Sequence, residues 1–263
     1  FSFCIYDPDA NKIFLARDRL GIKPLYYKLE SKYFAFASNT KALIGRNDNE
    51  INHKSLHHQF TLHSVIPAPN TILKNIYKLE PGHSATVTSD GKILKNKYYA
   101  LDDIKINHNI EENEIIEESE RLLMNAIEKR FYTADVDVGV LLSGGLDSSL
   151  IVAMAAKSKL SKINTFSIGF PTIKDEVGDE FYYSDMVSKQ FNTNHYKYNI
   201  NQDHLMECLD DVIREMPEPM FSQDSSAFYL LAQEVSKNQK VVLSGQGADE
   251  LFGGYFWYKK MNE

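Results

Sequence analysis

The chain has 263 residues, 43% of them hydrophobic and 25% charged, and a formal net charge of −7. This length accommodates one large domain or two modest ones, and the composition is that of a folded globular protein. The negative charge, with no Lys/Arg block longer than a pair, argues against a nucleic-acid surface. Apolar stretches such as "LIVAMAA" are much shorter than the roughly 20 residues of a membrane-spanning helix, so we expect no membrane insertion.

The two cysteines, Cys4 and Cys208, have neither the spacing of a disulfide framework nor that of a zinc site. This usage fits a reducing compartment, and we expect a cytoplasmic protein in which both cysteines are structural. The chain begins with Phe1 directly in the strand-like segment "FSFCIYD" and ends in "FWYKKMNE". We therefore expect it to be an internal piece of a longer polypeptide.

The first hundred residues consist of short alternating or aromatic runs divided by turn signals, a pattern typical of antiparallel β-sheet. A short helical or irregular stretch is expected around residues 52–62. The polar segment "DDIKINHNIEENE" lacks strong periodicity and is interpreted as a linker, which places the domain boundary between residues 103 and 104. The predicted strands lie in "FSFCIYD", "KIFLARD", "PLYYKLE", "KYFAFAS" and "SATVTSDGKIL".

After residue 114 the pattern changes to helices that alternate with strands. Apolar residues first recur at helical spacing, which predicts an amphipathic helix ending near Tyr132. Strands alternating with helices predict right-handed crossovers and a mostly parallel sheet. The predicted order is strand "DVGVLL", helix "LDSSLIVAMAAKS", strand "INTFSIGF", a helix over about 178–190, strand "HYKYNI", helices over about 203–215 and 225–237, and strand "KVVLS".

Two glycine-containing loops follow apolar strands of the predicted parallel sheet. "SGGLDSS" follows "VLL", and "SGQGADE" follows "VVL". Ligands of open parallel sheets bind at the carboxyl ends of the strands, where such loops lie. Glycines allow backbone N–H groups to approach a phosphate, and the helix beginning near Leu146 directs its positive end to the same point. The alternative is that the glycines only form tight turns between strand and helix.

Asp147 distinguishes the first of these loops from other phosphate-binding loops. A Walker loop has a lysine after its last glycine and a dinucleotide fingerprint has a third glycine, and this sequence has neither. A carboxylate beside phosphates is repulsive unless a cation lies between them, so Asp147 predicts Mg²⁺ with oxygen ligands. Asp249 in the other loop, with Glu250 beside it, would supply a second carboxylate. The pair of loops therefore predicts a magnesium-bound nucleotide.

These motifs carry a resemblance to a known family. "LLSGGLDSS" resembles the pyrophosphatase loop of the adenine-nucleotide alpha-hydrolase-like enzymes, and together with "SGQGADELFGGY" it resembles the synthetase domain of the glutamine-dependent asparagine synthetases. "RDRLGIKPLYY" and "FASNTKAL" resemble the later part of the glutaminase domain of that family. The resemblance implies a partial, antiparallel β-rich nucleophile-hydrolase (αββα) domain in residues 1–103 and a parallel-sheet, alpha-hydrolase-like domain in residues 104–263.

The resemblance also implies a reaction and its participants. ATP and aspartate would form β-aspartyl-AMP and pyrophosphate, and nitrogen from glutamine or ammonia would then displace AMP to give asparagine. ATP and Mg²⁺ are the expected cofactors, and a homodimer is among the expected assemblies. The implied ATP-binding residues are Leu142, Ser143, Gly144, Gly145, Leu146, Asp147, Ser148, Ile168 and Gly245, with Asp147 and Asp249 on the metal and Gln246, Asp249, Asp224, Ser225 and Ser226 on the substrate side.

Three departures from the family pattern affect these expectations. The family's glutaminase nucleophile is an N-terminal cysteine, whereas residue 1 here is Phe, and Cys4 lies inside a strand-like segment. We therefore expect no glutamine hydrolysis from this stretch of chain alone. Gln246 stands where the family commonly has an acidic residue, and an amide cannot usefully accept a proton. A functional lysine of the family lies downstream of residue 263.

Two alternative functions stay open on the sequence alone. The enzyme could adenylate another carboxylate, as the related β-lactam synthetases and peptide-forming amidotransferases do. A non-catalytic ATP-binding member of the family is the second alternative, motivated by Gln246 and by the absent cysteine. Several other features are interpreted as structural: the histidines around residues 53–63 match no zinc pattern, "RDRLGIKPL" forms a turn with charged side chains, and the aromatic residues of "FGGYFWY" are expected in the core.

Overall fold

A computed structural model of the chain divides into two units that contain different kinds of sheet. Unit 1 comprises Phe1–His108 and Asp211–Ser222, and unit 2 comprises Asn109–Asp210 and Gln223–Glu263. The structure describes residues 1–31, 33–45, 50–107, 109–158, 162–170, 181–220, 222 and 224–261, with the backbone alone at residue 202.

Unit 1 contains two antiparallel sheets that share a hydrophobic core. The alternation predicted from the sequence is visible in one strand, where Ala85 and Val87 are buried between more exposed neighbours. These residues pack with Tyr27 and Leu79 from the other sheet. The first sheet has the order β1 (Ser2–Asp7), β2 (Lys12–Arg17), β6 (His83–Thr88), β7 (Ile93–Lys97), and the second has the order β4 (Phe34–Ala37), β3 (Tyr26–Leu29), β5 (Tyr77–Lys78).

The helix predicted around residues 52–62 is confirmed as α1 (His53–Thr61). Asn52 caps it, because its side chain accepts hydrogen bonds from the backbone N–H groups of Lys54 and Ser55. The side chain of Gln59 on this helix donates to the carbonyl of Pro219 at 2.7 Å. Helix α1 therefore holds a stretch of chain that is distant in sequence.

The second stretch of unit 1 is fixed by hydrogen bonds and by a partly buried ion pair. The carboxylate of Glu218 accepts from the ammonium group of Lys78 at 2.6 Å and from the hydroxyl of Tyr26 at 3.5 Å. Burial, followed by the negative charge of Glu218, raises the pKa of Tyr26 to about 12. These contacts explain why residues 211–222 belong to unit 1 although unit 2 flanks them on both sides.

The turn after β2 is stabilised by charged side chains that bind backbone groups. The guanidinium of Arg17 donates to the carbonyls of Gly21 and Lys23 at 2.8 and 3.0 Å. The carboxylate of Asp18 accepts from the backbone N–H groups of Ile22 and Lys23, each at 3.0 Å. Burial by itself would raise the pKa of Asp18, but hydrogen bonds from Lys23 and Ile22, together with the hydrogen bond and charge of the ammonium group of Phe1, outweigh it and lower the pKa to about 2. The structural interpretation of "RDRLGIKPL" fits these contacts.

Unit 2 contains the parallel sheet that the alternating pattern predicts. All three neighbouring strand pairs of this sheet are parallel. The sheet has the order β10 (Asn194–Asn199), β9 (Asn164–Gly169), β8 (Val138–Leu141), β11 (Val241–Leu243). The helices of unit 2 are α2 (Glu112–Tyr132), α3 (Leu146–Lys157), α4 (Phe181–Phe191), α5 (Gln202–Glu207), α7 (Asp224–Val235), α8 (Ala248–Phe252) and α9 (Phe256–Met261), while α6 (Leu209–Glu215) begins in unit 2 and continues into unit 1.

Helices α2 and α3 cover the sheet at the strand that leads to the first glycine loop. Val140 is fully buried in β8, and it packs in one cluster with Ile127 of α2 and Val152 and Ala155 of α3. Burying such side chains contributes about 1.5–3 kcal/mol each for the larger ones, so this cluster anchors the start of α3. No helix in the described ranges combines the length and the apolar character needed to cross a membrane.

Three expectations about unit 2 need correction or limitation. The single helix expected over 203–215 is instead two helices, with Cys208 as the C-cap of the first. Of the helix expected over about 178–190, residues 178–180 lie outside the described residues. The expectation of a core position was wrong for Phe252 and Phe256, which are 62% and 68% exposed.

Candidate functional site

The two glycine loops leave neighbouring strands of the parallel sheet. We call residues 142–148 the first loop and residues 244–250 the second loop. The first loop follows β8 and the second follows β11, and these strands pair in register, with Val140 opposite Leu243. Both loops therefore begin at the same edge of the sheet, as the sequence predicted.

The backbone of the first loop is held by short-range hydrogen bonds. The N–H group of Leu142 donates to the carbonyl of Phe166 at 2.8 Å, which extends the pairing of β8 with β9 by one residue. The hydroxyl oxygens of Ser143 and Ser148 lie 3.0 Å apart, and the N–H group of Gly145 donates to Ser143 at 3.2 Å. Gly145 is the N-cap of α3 and has no side chain to cap the helix, so the N-terminal N–H groups can serve an anion.

Gly144 is required for two independent reasons. Its φ of +92° lies in the left-handed region, which favours glycine. A Cβ atom at this position would also lie 2.6 Å from the backbone nitrogen of Ser184 and 2.6 Å from the Cβ of Tyr183. The first loop is thus packed against the first turn of α4, and only a residue without a side chain allows this approach.

The second loop touches the first through Gly245. A Cβ atom on Gly245 would lie 3.0 Å from the Cβ of Asp147 and 3.0 Å from the backbone nitrogen of Ser148. Within the second loop, the N–H group of Gln246 donates to the hydroxyl of Ser244 at 3.2 Å. The small size of Gly245 therefore brings the two loops together, and Asp249 follows in the first turn of α8.

A cavity of about 540 Å³ opens between the loops and the end of the sheet. Nine of the residues predicted for the site line it, from both loops and from β9. Its other walls come from β8, β9, α7 and residues that flank the loops. The predicted residues that line the cavity are Leu142, Ser143, Gly145, Asp147, Ser148, Ile168, Gly245, Gln246 and Asp249.

Five predicted residues do not line this cavity. Gly144 faces α4, and the residue Leu146 is 82% exposed. Asp224, Ser225 and Ser226 form the first turn of α7, where Ser226 is buried. Their role in a substrate site stays a prediction.

The apolar wall of the cavity was not predicted from the sequence. Phe228 and Leu231 of α7 line it, and Phe170 follows β9 at the same edge. Part of the signal was present, because apolar residues of α7 recur three positions apart and α7 precedes strand β11 of the parallel sheet. Nothing in the pattern distinguished a helix that faces a ligand cavity from one that only covers the sheet.

The cavity combines groups that suit an anionic ligand accompanied by a hard cation. The N-terminus of α3 offers partial positive charge, and the carboxylates of Asp147 and Asp249 line the same space. Among the described residues no group of three or more His, Cys, Asp or Glu side chains is placed to hold a metal ion. Two carboxylates nevertheless fit Mg²⁺, which binds few protein ligands and completes its shell with water and phosphate oxygens.

Cys4 does not have the environment of an activated thiol. It lies in β1, opposite Leu15 of β2, and its side chain packs against the core of unit 1. Burial raises the pKa of the Cys4 thiol, which lowers the fraction of reactive thiolate at neutral pH.

Comparison with known families agrees with this geometry. The model of the Asparagine synthase family matches residues 118–263, which is more than half of the chain and includes both loops. The chain belongs to the asparagine synthase family. The model of the Glutamine amidotransferase domain matches residues 1–99, so the asparagine synthase part follows an amidotransferase part in this chain.

Curated members of the family resemble the chain along almost its whole length. The chain is 36% identical over 262 residues to a putative glutamine-hydrolysing asparagine synthetase 2 of Methanocaldococcus jannaschii, a match that covers 97% of this chain and 49% of the relative. It is 31% identical over 261 residues to the glutamine-hydrolysing asparagine synthetase 1 of Bacillus subtilis, covering 99% of this chain and 40% of the relative. The chain thus spans half or less of the length of these relatives.

Solved structures add little to the assignment. A glutamine-dependent NAD+ synthetase from Acinetobacter baumannii aligns with 97% of this chain and 61% of its own chain, at 14% identity and a TM-score of 0.41. This similarity is too low to establish a shared fold.

Proposed function

We propose that the chain is part of an asparagine synthetase, a carbon–nitrogen ligase that amidates aspartate at the expense of ATP. The observation that carries this proposal is the contact of the two glycine loops through Gly245, which places Asp147 and Asp249 on one cavity at the strand ends. Membership of the asparagine synthase family supports the choice of reaction.

The proposed binding mode divides ATP between two parts of the cavity. The pyrophosphate portion binds at the first loop, where the N-terminus of α3 and the hydroxyls of Ser143 and Ser148 provide donors. The adenosine portion binds nearer the apolar wall, to which Phe228 and Leu231 contribute. In full, the proposed ATP-binding residues are Leu142, Ser143, Gly144, Gly145, Leu146, Asp147, Ser148, Ile168 and Gly245.

Asp147 and Asp249 are proposed to hold Mg²⁺ against the phosphates. The bound ion would supply positive charge that offsets the negative charge of the leaving pyrophosphate. Without a cation, both carboxylates would repel the triphosphate, which supports the proposal that ATP binds as its magnesium complex.

The first chemical step is attack of the aspartate β-carboxylate on the α-phosphorus of ATP. The bond from this phosphorus to the bridging oxygen breaks, pyrophosphate leaves, and β-aspartyl-AMP remains. The uncapped N–H groups at the start of α3 are fixed before the reaction, and they stabilise the charge that develops on the phosphate oxygens. Hydrogen bonds within the first loop keep these donors in place.

The second step is attack of ammonia on the β-carbonyl carbon, which releases AMP and forms the amide. Gln246 is exposed on the second loop and lines the cavity, so we place it on the substrate side together with Asp224, Ser225 and Ser226. An amide orients the intermediate through hydrogen bonds but does not accept the proton that the nitrogen loses. That proton goes to another group, such as the departing AMP or water.

Residues 1–103, which lie within unit 1, are proposed to be the later part of a glutaminase domain with αββα architecture. Their two packed antiparallel sheets and their match to the amidotransferase family support this assignment. Cys4 is not the nucleophile in this proposal, and the nitrogen donor of the full-length protein is glutamine or ammonia. A cytoplasmic location is proposed from the unpaired cysteines Cys4 and Cys208, and a homodimer from the resemblance to the family.

The test is an assay of pyrophosphate release by the full-length protein with ATP, Mg²⁺, ammonia and a panel of carboxylic acids. We expect aspartate to support the fastest release and to be converted to asparagine in equal amount. The variant Asp147→Asn is expected to lower the rate by about 10²–10³-fold, because the leaving pyrophosphate loses its charge compensation. The variant Asp135→Asn, at an exposed position outside the cavity, serves as the matched carboxylate control.

Two outcomes would contradict the proposal. Preference for another carboxylic acid over aspartate would assign the chain to a different acyl-adenylating reaction. Tight binding of magnesium-ATP without turnover of any acid would indicate a non-catalytic member of the family.

A further inference from the structure

A row of buried polar side chains lies beneath the first loop, between β9, β10 and α4. His195 of β10 is at its centre, with a side chain that is 8% exposed. Its Nδ1 atom lies 2.9 Å from the hydroxyl of Thr165, and its Nε2 atom lies 3.3 Å from the hydroxyl of Ser184 and 3.5 Å from that of Ser167. Buried polar groups are costly unless they are hydrogen-bonded, so this row has a defined arrangement.

The hydroxyl groups determine which nitrogen of His195 carries the proton. Thr193 donates to Ser188 at 2.9 Å, so its oxygen must accept the hydrogen of Thr165 across the 2.8 Å contact between them. The oxygen of Thr165 is then free to accept from Nδ1–H of His195. The neutral tautomer with a proton on Nδ1 follows from this assignment. Nε2 then accepts from the hydroxyl of Ser184, whose other acceptor is the carbonyl of Phe181 at 3.2 Å.

The two hydroxyl groups that face Nε2 belong to residues that hold the first loop. Ser167 donates its hydroxyl hydrogen to the carbonyl of Leu142, the first residue of that loop. A Cβ atom on Gly144 would lie 2.6 Å from the backbone nitrogen of Ser184, as close as to the Cβ of Tyr183. His195 is therefore one contact away from the loop on both sides, although it does not line the cavity.

The charges around His195 favour the neutral imidazole. Burial, the largest effect, lowers the pKa of His195 below its ordinary value of 6.5, and the ammonium group of Lys197 acts in the same direction. The carboxylate of Asp185 on α4 opposes them, but it lies 3.7 Å from Nε2 and is paired with Lys197 at 2.9 Å. A proton on Nε2 would face Ser184 and Ser167 and would compete with Lys197 for Asp185.

We propose that His195 is a positioning residue for the pyrophosphate loop. Its neutral imidazole accepts the hydroxyl hydrogen of Ser184 and packs against Ser167, which itself donates to Leu142, and so it holds the backbone at Gly144 and Leu142. The proposal rests on the proposed function of the cavity as the ATP site. Loss of this support weakens ATP binding although no group that contacts ATP is removed.

Two substitutions at this position separate positioning from general stability. In His195→Gln the side-chain amide reaches the place of Nε2 and keeps a partner for Ser184 and Ser167. In His195→Asn the amide reaches only the place of Nδ1, so Thr165 keeps its partner and the contacts toward the loop are lost. His204→Asn, at an exposed position in α5, is the matched control.

The experiment measures direct binding of magnesium-ATP to the full-length protein, without aspartate or ammonia. We expect about tenfold weaker binding for His195→Asn and at most about threefold weaker binding for His195→Gln, because only the first loses the hydrogen bonds toward the loop. Binding by the wild type is also expected to weaken as the pH falls through the lowered pKa of His195, and His195→Gln is expected to lack this dependence.

The possible results distinguish this inference from the proposed function. If the wild type binds ATP and His195→Asn binds it equally well, the positioning role is wrong and the ATP site stands. If both His195 variants weaken binding equally, the effect is one of general stability and the inference is overturned. If the wild type does not bind magnesium-ATP, both proposals are wrong. Should His195→Asn fail to fold, the pH dependence of the wild type and of His195→Gln decides the question.

Discussion

The two glycine loops of the parallel sheet differ in how firmly their surroundings hold them. In the first loop, Gly144 is packed against α4, and hydrogen bonds join Ser143 to Gly145 and Ser148. In the second loop, Gly247 has a φ of +96°, and no described atom lies within 4 Å of where its Cβ would be. The second loop is therefore positioned mainly where Gly245 meets the first.

This difference suggests a division of roles between the loops. A rigid first loop suits the binding of the pyrophosphate portion, which requires donors fixed in advance. A less constrained second loop tolerates substitutions without disturbing the sheet. This loop carries Gln246, the main departure from the family pattern. In this account the first loop holds the pyrophosphate portion, and the second loop contributes Gly245 and Asp249 to the nucleotide site and Gln246 to the fate of the adenylate.

The largest expected effect comes from adding a methyl group at Gly144, which is packed against α4. Gly144→Ala is expected to destabilise the full-length protein by roughly 2–5 kcal/mol, from overpacking against α4 together with left-handed backbone strain. Gly247→Ala would add left-handed backbone strain but no steric overlap, and we expect it to lower the free energy of unfolding by about 1–2 kcal/mol. Urea unfolding of both variants checks this prediction, and equal losses would show that the two loops do not differ in packing.

The next effect concerns the contact between the loops. In Gly245→Ala the new methyl group would lie 3.0 Å from Asp147 and from the nitrogen of Ser148, so one loop must shift. We expect about tenfold weaker binding of magnesium-ATP, with a loss of stability of about 1 kcal/mol, since the shift displaces a carboxylate from the metal. Calorimetric titration measures the affinity; unchanged affinity would mean that the two loops act independently.

A smaller effect is expected from protonation of His195, which lies beneath the first loop. The folded protein lowers the pKa of His195, so the unfolded chain binds this proton more readily. The contribution of His195 to the free energy of unfolding is fully present at a pH above its ordinary pKa of about 6.5. It is lost as the pH falls through the lowered pKa of the folded protein. Unfolding free energies from about pH 8 to about pH 5 should therefore fall more steeply for the wild type than for His195→Gln. Parallel pH profiles would contradict this.

The smallest effect on ATP binding is expected from substitution of Gln246 in the second loop. Gln246→Glu should leave aspartate-dependent exchange of pyrophosphate into ATP within about threefold, because the added charge lies on an exposed side chain and is screened. Amide formation from ammonia should change more than exchange does. A loss of exchange comparable to that of Asp147→Asn would place Gln246 at the phosphates instead of the acyl group.

The sequence predicted the parallel sheet and both loops because these depend on local patterns. Apolar strands that end in glycine and are followed by helices determine where such loops lie. Gln246, Asp147 and Asp249 could be identified from their positions in these loops. The family resemblance supplied the reaction, which no local pattern specifies.

Other features depend on contacts between distant residues and could not be predicted. The wall formed by Phe228 and Leu231 depends on how α7 packs on the sheet. The assignment of residues 211–222 to unit 1 depends on the pairing of Glu218 with Lys78, 140 positions apart.

The central claim is that both loops hold one magnesium-bound nucleotide. A double-mutant cycle with Asp147→Asn and Asp249→Asn, read out as Mg²⁺-dependent ATP affinity of the full-length protein, tests it most directly. If the two carboxylates share one ion, each single variant loses most of the metal-dependent affinity, and the double variant binds at most about threefold more weakly than the weaker single one. Independent losses that multiply in the double variant would contradict the claim.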